Sequence, residues 1–209
     1  MIKVQHLAYT LLFCSLQGHA NQTAASNQSD MAPYNLKWGM SYDDARNTPL
    51  FSLEVSDVNY AGKDPNLIIA TVEPSEINAS DYKEVKLYFN KIKGLQGVVA
   101  NTLVDVNSTS KDRDDGKEAL ALYNKEVKIL NNIYGQPISQ QEFISNKNEF
   151  YGSLAKCIKI QDERYMKGLD SNNIPECSKW QRDYKKGNVT VLLTIEPRQI
   201  TKQYIYKTK

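Results

Sequence analysis

Glu84-Val85-Lys86-Leu87-Tyr88-Phe89-Asn90 alternates the apolar Val85, Leu87 and Phe89 with Lys86, Tyr88 and Asn90. A period of two belongs to a strand with one face buried and one facing water. Sheets of that kind are antiparallel. The neighbouring stretches agree: Phe51 to Tyr60, Leu67 to Glu73 and Gly97 to Val106 also read as strands. Their connections are Ala61-Gly62-Lys63-Asp64-Pro65, the longer turn from Pro74 to Asp81, and Lys91 to Leu95, the first and last of hairpin length and carrying glycine. Further on, Trp180 to Tyr184, Val189 to Glu196 and Gln203 to Lys207 add strands, with Lys186-Gly187-Asn188 at a turn.

Between the two strand groups the period changes. Leu120, Tyr123, Val127, Leu130 and Tyr134 recur at threes and fours and place one apolar stripe on a helix from Lys117 to Tyr134, which Gly135 and Pro137 end. A less regular helical stretch is predicted from Gln140 to Cys157. Ahead of the first strand, Ser41 caps a short helix, with Asp43 and Asp44 at the positive end of its dipole and Pro49 closing it. The expected fold is α+β, an antiparallel sheet with helices packed on one side, in the order α-β-β-β-β-α-(α)-β-β-β.

Residues 1 to 20 read as an export signal: Lys3, an apolar run from Leu7 to Leu16, then Gly18-His19-Ala20 with small residues at the cleavage site. The run is about half the ~20 residues that span a bilayer, so no stable membrane anchor is expected after cleavage. Lipidation at Cys14 is disfavoured by the bulky Phe13 before it and by the apolar run continuing past it. Residues 21 to 33 (NQTAASNQSDMAP) form a polar, flexible leader, and residues 34 to 209 a single domain. The expected location is the periplasm or the exterior.

Removing the first twenty residues takes away both histidines, His6 and His19, and one cysteine of three. The chain then lacks the side chain that most often moves protons at neutral pH and ligates transition metals. The remaining cysteines, Cys157 and Cys177, are expected to join in an oxidising compartment and to close the turn-rich loop between them, worth ~3 kcal/mol. A redox-active pair would set the two thiols two residues apart instead. No catalytic, cofactor-binding or metal-ligating residue is assigned, and no cofactor.

Without Lys3, 25 basic residues face 24 acidic ones. Lysines interleave with acids along the chain, which points to a solvated surface and not to nucleic-acid capture. A local exception is Tyr184-Lys185-Lys186 with the tail from Lys202 to Lys209, read as strands with one solvated side.

Four patterns could carry chemistry. Ser108 with Lys111 and Ser153 with Lys156 have the spacing in which lysine deprotonates a serine nucleophile, but no Lys-Thr-Gly element follows. Asp112-Arg113-Asp114-Asp115-Gly116 resembles a calcium loop, yet its glycine stands fifth and Tyr123 occupies the twelfth place, so a helix-capping charge cluster is the better reading. Glu73 with Glu76, or Asp162 with Glu163, could cleave glycosides without histidine. Thirteen tyrosines point to recognition, since tyrosine offers contact area at low entropic cost, or else to ordinary sheet and core packing.

Trp38-Gly39-Met40-Ser41 near the mature start, Tyr134-Gly135-Gln136-Pro137 at a helix end, and Trp180 before the Val-Thr-Val-Leu-Leu strand together resemble uncharacterised exported α+β proteins of the Gram-negative periplasm. The resemblance implies that compartment and fold, and no functional residue. The leading expectation is a protein that works by non-catalytic binding of another envelope or secreted protein, as an inhibitor, an immunity protein or an assembly factor. The alternatives are a histidine-independent hydrolase and a passive structural component of the envelope.

Overall fold

The computed structural model describes residues 31–47, 53–55, 64–77, 79, 81–104, 115–170, 174, 177–197 and 199–208. The export signal, residues 21–30 of the leader, Pro49, Ser108, Lys111 and Asp112 to Asp114 lie outside them.

Eight strands form one antiparallel sheet: β1 (Leu53–Val55), β2 (Leu67–Val72), β3 (Glu84–Asn90), β4 (Gly94–Leu103), β5 (Ser139–Phe143), β6 (Lys179–Lys186), β7 (Val189–Glu196) and β8 (Gln199–Tyr206). Their spatial order is β1-β2-β3-β4-β8-β7-β6-β5. Two meanders therefore meet at the β4–β8 seam, where Gly97 pairs with Ile205 and Leu103 with Gln199. The helices are α1 (Tyr42–Arg46), α2 (Lys117–Tyr134) and α3 (Phe150–Met166). This is the α+β architecture that the alternating strands and the helical stripe predict.

The period-two reading holds residue by residue. Val85, Leu87 and Phe89 of β3 are buried, as are Val189, Val191, Leu193 and Ile195 of β7, while the residues between them are partly exposed. The buried side of α2, formed by Ala119, Tyr123, Val127 and Leu130, covers that face, packing on β6, β7 and β8. Ser41 caps α1 as expected, its Oγ accepting from the Asp44 N–H at 3.0 Å.

Ser139–Phe143 departs from the expected helix over Gln140 to Cys157. It is an edge strand, and α3 begins only at Phe150. Its residues carry no apolar period of their own, and pairing of Gln140 with Arg182 and Glu142 with Trp180 decides their conformation. The helix then runs well past Cys157 to Met166, where Gly168, at φ +67°, ends it. The Leu169 N–H donates to the Arg164 carbonyl across that end.

The N-terminal segment is bolted to the β3–β4 hairpin. The Gly39 N–H donates to the Leu95 carbonyl and the Leu95 N–H to the Met40 carbonyl, at 3.0 and 2.8 Å. Trp38 stacks on Tyr206 of β8 with ring centroids 5.2 Å apart. The motif-like Trp-Gly-Met-Ser stretch is thus an attachment. Packing starts earlier than residue 34, for Ala32, assigned to the leader, is buried, and its N–H donates to the Leu36 carbonyl. That tight loop holds Tyr34 and Asn35 at φ 62° and 61°, a conformation costly for tyrosine, and sets the Tyr34 ring edge-on to Tyr82.

Cys157 and Cys177 are joined as a disulfide with Cα atoms 5.3 Å apart, tying the middle of α3 to the approach to β6. Replacing both with serine is expected to lower the unfolding free energy by ~2–4 kcal/mol and to leave the sheet's circular dichroism in place. Urea titration checks this. Complete unfolding at room temperature would mean that the bridge holds the core and not only α3.

Candidate functional site

The two faces of the sheet differ in kind. On the α2 side β8 brings Ile200, Lys202 and Tyr204 inward, so a lysine stands in the core at 5 % exposure. Its Nζ lies 2.7 Å from Glu126 Oε2 of α2 and 4.8 Å from the Tyr82 ring centroid. The Tyr82 hydroxyl donates to Glu126 Oε1 at 2.8 Å. Burial, reinforced by Tyr34 and Glu126, pushes the Tyr82 phenol far above its ordinary value. Nearer the β5 edge, Glu142 accepts from Arg182 Nε and Nη2 and from the Tyr123 hydroxyl. Burial works against its charge, but the Arg182 hydrogen bonds and charge outweigh it and hold the Glu142 carboxyl below the usual range. Both pairs are largely shielded from solvent and engaged with protein partners. They lock α2 and β5 onto the sheet.

The other face is less covered by the described residues, although Ile69 of β2, paired with Tyr88, is buried on it. Tyr88 of β3, Val99 of β4, Gln203 and Ile205 of β8, Leu192 and Thr194 of β7 and Gln181 of β6 are all partly exposed, and among the described residues only α3 approaches them. The first turn of α3 sits on the α2 side, where Phe150 meets Trp180 with centroids 5.7 Å apart. Farther along, Ile158, Gln161, Asp162 and Tyr165 face Gln181, Leu192, Thr194 and Gln203 across a cleft of about 490 Å³. A second depression, of about 370 Å³, lies over Tyr88, Val99 and Ile205 and shares Gln203 with the first. Together they make a shallow trough across five strands, walled at one end by the disulfide-tethered helix. Amides and hydroxyls alternate in it with aliphatic and aromatic groups, the composition of a contact surface.

The candidates from sequence fall in different places. Ser153 is buried, its Oγ donating to the Asn146 carbonyl at 3.2 Å and accepting from the Asn146 N–H at 3.3 Å, while Lys156 is exposed. The serine braces the chain ahead of α3. Asp115 Oδ1 accepts from the Lys117 N–H and its carboxylate meets Lys117 Nζ, so this end of the acidic cluster caps α2. Glu73 and Glu76 are exposed at either end of the Pro74–Ile77 turn. Asp162 lines the cleft, whereas Glu163, one residue and so about 100° further round the helix, does not. Instead Glu196 shares the cleft with Asp162. Among the described residues no group of three or more His, Cys, Asp or Glu could hold a metal ion.

Most of the described tyrosines follow the core-packing alternative: Tyr123, Tyr184 and Tyr204 are buried, and Tyr34, Tyr42, Tyr82, Tyr134, Tyr151 and Tyr206 pack against the core. On β6 and β8 they fall in phase with the inward residues. Tyr88 and Tyr165 face the trough, the latter 74 % exposed. The residues that sequence reasoning missed are Ile158, Gln181, Leu192 and Gln203. The spacing of Ile158 and Tyr165 on one helical face was legible, but not that an open sheet lies opposite.

Comparison with protein-family models, with curated proteins and with solved structures finds no match to this chain.

Proposed function

We propose that the protein is exported to the bacterial envelope and works by non-catalytic contact with another envelope or secreted protein, as an inhibitor or an assembly factor. The contact surface is the open sheet face with the α3 cleft. The observation that carries this reading is a five-strand trough, lined by amides, hydroxyls and apolar groups with a few charged side chains among them, that no described element but α3 covers. Stable recognition needs such an area with a few apolar anchors. Export is supported by the signal-like start and by the Cys157–Cys177 bridge.

Protein purified from the periplasm should begin at Asn21 and lack two thiol hydrogens by mass. A photo-crosslinker at Gln203 or Ile158 should give one discrete protein adduct, and one at exposed Lys159 none. Tyr165→Ala or Leu192→Ala should each weaken that partner by ~2 kcal/mol.

Asp162 and Glu196 in one cleft favour the hydrolase alternative in one respect, since paired carboxylates suffice for glycoside cleavage. Hydrolysis of a cell-wall glycan that is lost in Asp162→Asn and in Glu196→Gln would replace the contact reading.

A further inference from the structure

Lysines scattered along the sequence are gathered by the topology at one end of the sheet. Lys91-Ile92-Lys93 turns β3 into β4. The pairing of Gly97 with Ile205 brings the end of β8, and Lys207 after it, to that same end. The pairing of Val189 with Tyr206 sets Lys185 and Lys186 alongside, and the Lys207 N–H donates to the Asn188 carbonyl at 3.0 Å. Lys37 joins them because Gly39 is hydrogen-bonded to Leu95. All six lysines are exposed. Among the described residues none of them is in an ion pair. The acids described at this end are Asp43, Asp44 and Asp64, with Arg46 beside the first two. Carboxylates collect at the opposite end, where Glu73, Glu76, Glu84, Glu118 and Glu196 lie with Lys83, Lys86, Lys117 and Lys179.

The lysine end also presents aliphatic groups. Ile92 is 82 % exposed at the hairpin tip. Asn90 Oδ1 accepts from the N–H groups of Ile92 and Lys93 at 2.9 and 3.0 Å, which fixes the tip with its isoleucine outward. Met31 and Ile133, each 49 % exposed, border a mainly apolar depression of about 340 Å³ that Lys186 also lines.

We propose that this end docks the protein on an anionic phospholipid surface, the six lysines at headgroup level and Ile92 entering the acyl boundary. Each lysine near such a surface strengthens binding several-fold, and a rigidly held aliphatic tip between two lysines gains only where there is hydrocarbon to enter. A nucleic acid would satisfy the charge and leave Ile92 in water. The depression over Tyr88 and Val99 reaches this end at Asn90 and Lys93, but the α3 cleft contains none of the six lysines, so docking and partner capture at that cleft are separable readings.

The test uses protein purified from the periplasm, its N-terminus established by mass, sedimented with phosphatidylcholine vesicles that contain or lack phosphatidylglycerol. Binding is expected only with phosphatidylglycerol and should fall steeply with added salt. Lys185→Ala with Lys186→Ala should lower the partition coefficient about tenfold or more, and Ile92→Ser about fivefold. Lys83→Ala with Lys159→Ala should leave it unchanged. All these side chains are exposed, and melting temperature checks that the variants stay folded. No binding, equal binding to phosphatidylcholine alone, or binding indifferent to the paired lysine changes would overturn the proposal. So would double-stranded DNA bound as tightly as the vesicles with Ile92→Ser without effect, which would mark a bare polyanion site.

Discussion

Replacing Gly94 by alanine is expected to lower the unfolding free energy by about 4 kcal/mol or more, among the largest effects of any single change in this chain. A Cβ there would stand 2.1 Å from the Gly39 carbonyl oxygen and 2.6 Å from that of Met40. Both are backbone atoms that cannot rotate away. Gly94 also sits at φ +71°, a region that penalises any side chain. To relieve the clash, the N-terminal segment must lift off Leu95 and give up both hydrogen bonds and the Trp38–Tyr206 stack. Tryptophan emission should therefore shift to the red before global unfolding. Gly187→Ala is the control: its φ is +57° but nothing lies within 4 Å of the new Cβ, so only the backbone strain of about 1–2 kcal/mol remains. Equal losses in the two variants would show that the clamp at Gly39 carries no weight.

Lys202→Met is expected to cost about 3–5 kcal/mol, because it strands the Glu126 carboxylate under α2 without its cation. Glu126→Leu should cost a similar amount by stranding the lysine. The double change should be much milder than the sum, since two apolar groups can fill the site without any charge to desolvate, and a double-mutant cycle reads the difference as coupling. Single losses below about 1 kcal/mol would mean that water reaches the pair. The burial of both side chains, 7 % and 14 % exposed, argues for the larger figure.

Strands and helices were legible where one period governed many residues. Val85, Leu87 and Phe89, or Val189 through Ile195, carry their burial pattern in plain alternation, and α2 carries its stripe and its closing glycine. Ser139–Phe143 was not legible, since Gln140, Gln141 and Glu142 have no period to read and the neighbouring β6 alone makes them a strand. Lys202 was misleading for a related reason. A lysine between Ile200 and Tyr204 reads as a break in an apolar face, and only Glu126, distant in sequence, makes it an inward residue. The trough suffered most. Its walls come from α3, β3, β4, β6, β7 and β8, and no local pattern tells a half-exposed strand face that will be covered from one that will stay open.

By itself the sequence determined most of the strands, the stripe of α2, the α+β class and the pairing of its last two cysteines, because each depends on local periodicity or on elimination among few residues. Which tyrosines point inward was decided by register, since a side chain's face follows from how its strand is paired. The separation of lysines from carboxylates was decided by topology. Lys37, Lys91, Lys93, Lys185, Lys186 and Lys207 come from stretches that lie far apart along the chain, and they meet at one end only because antiparallel hairpins return alternate turns to the same side of the sheet.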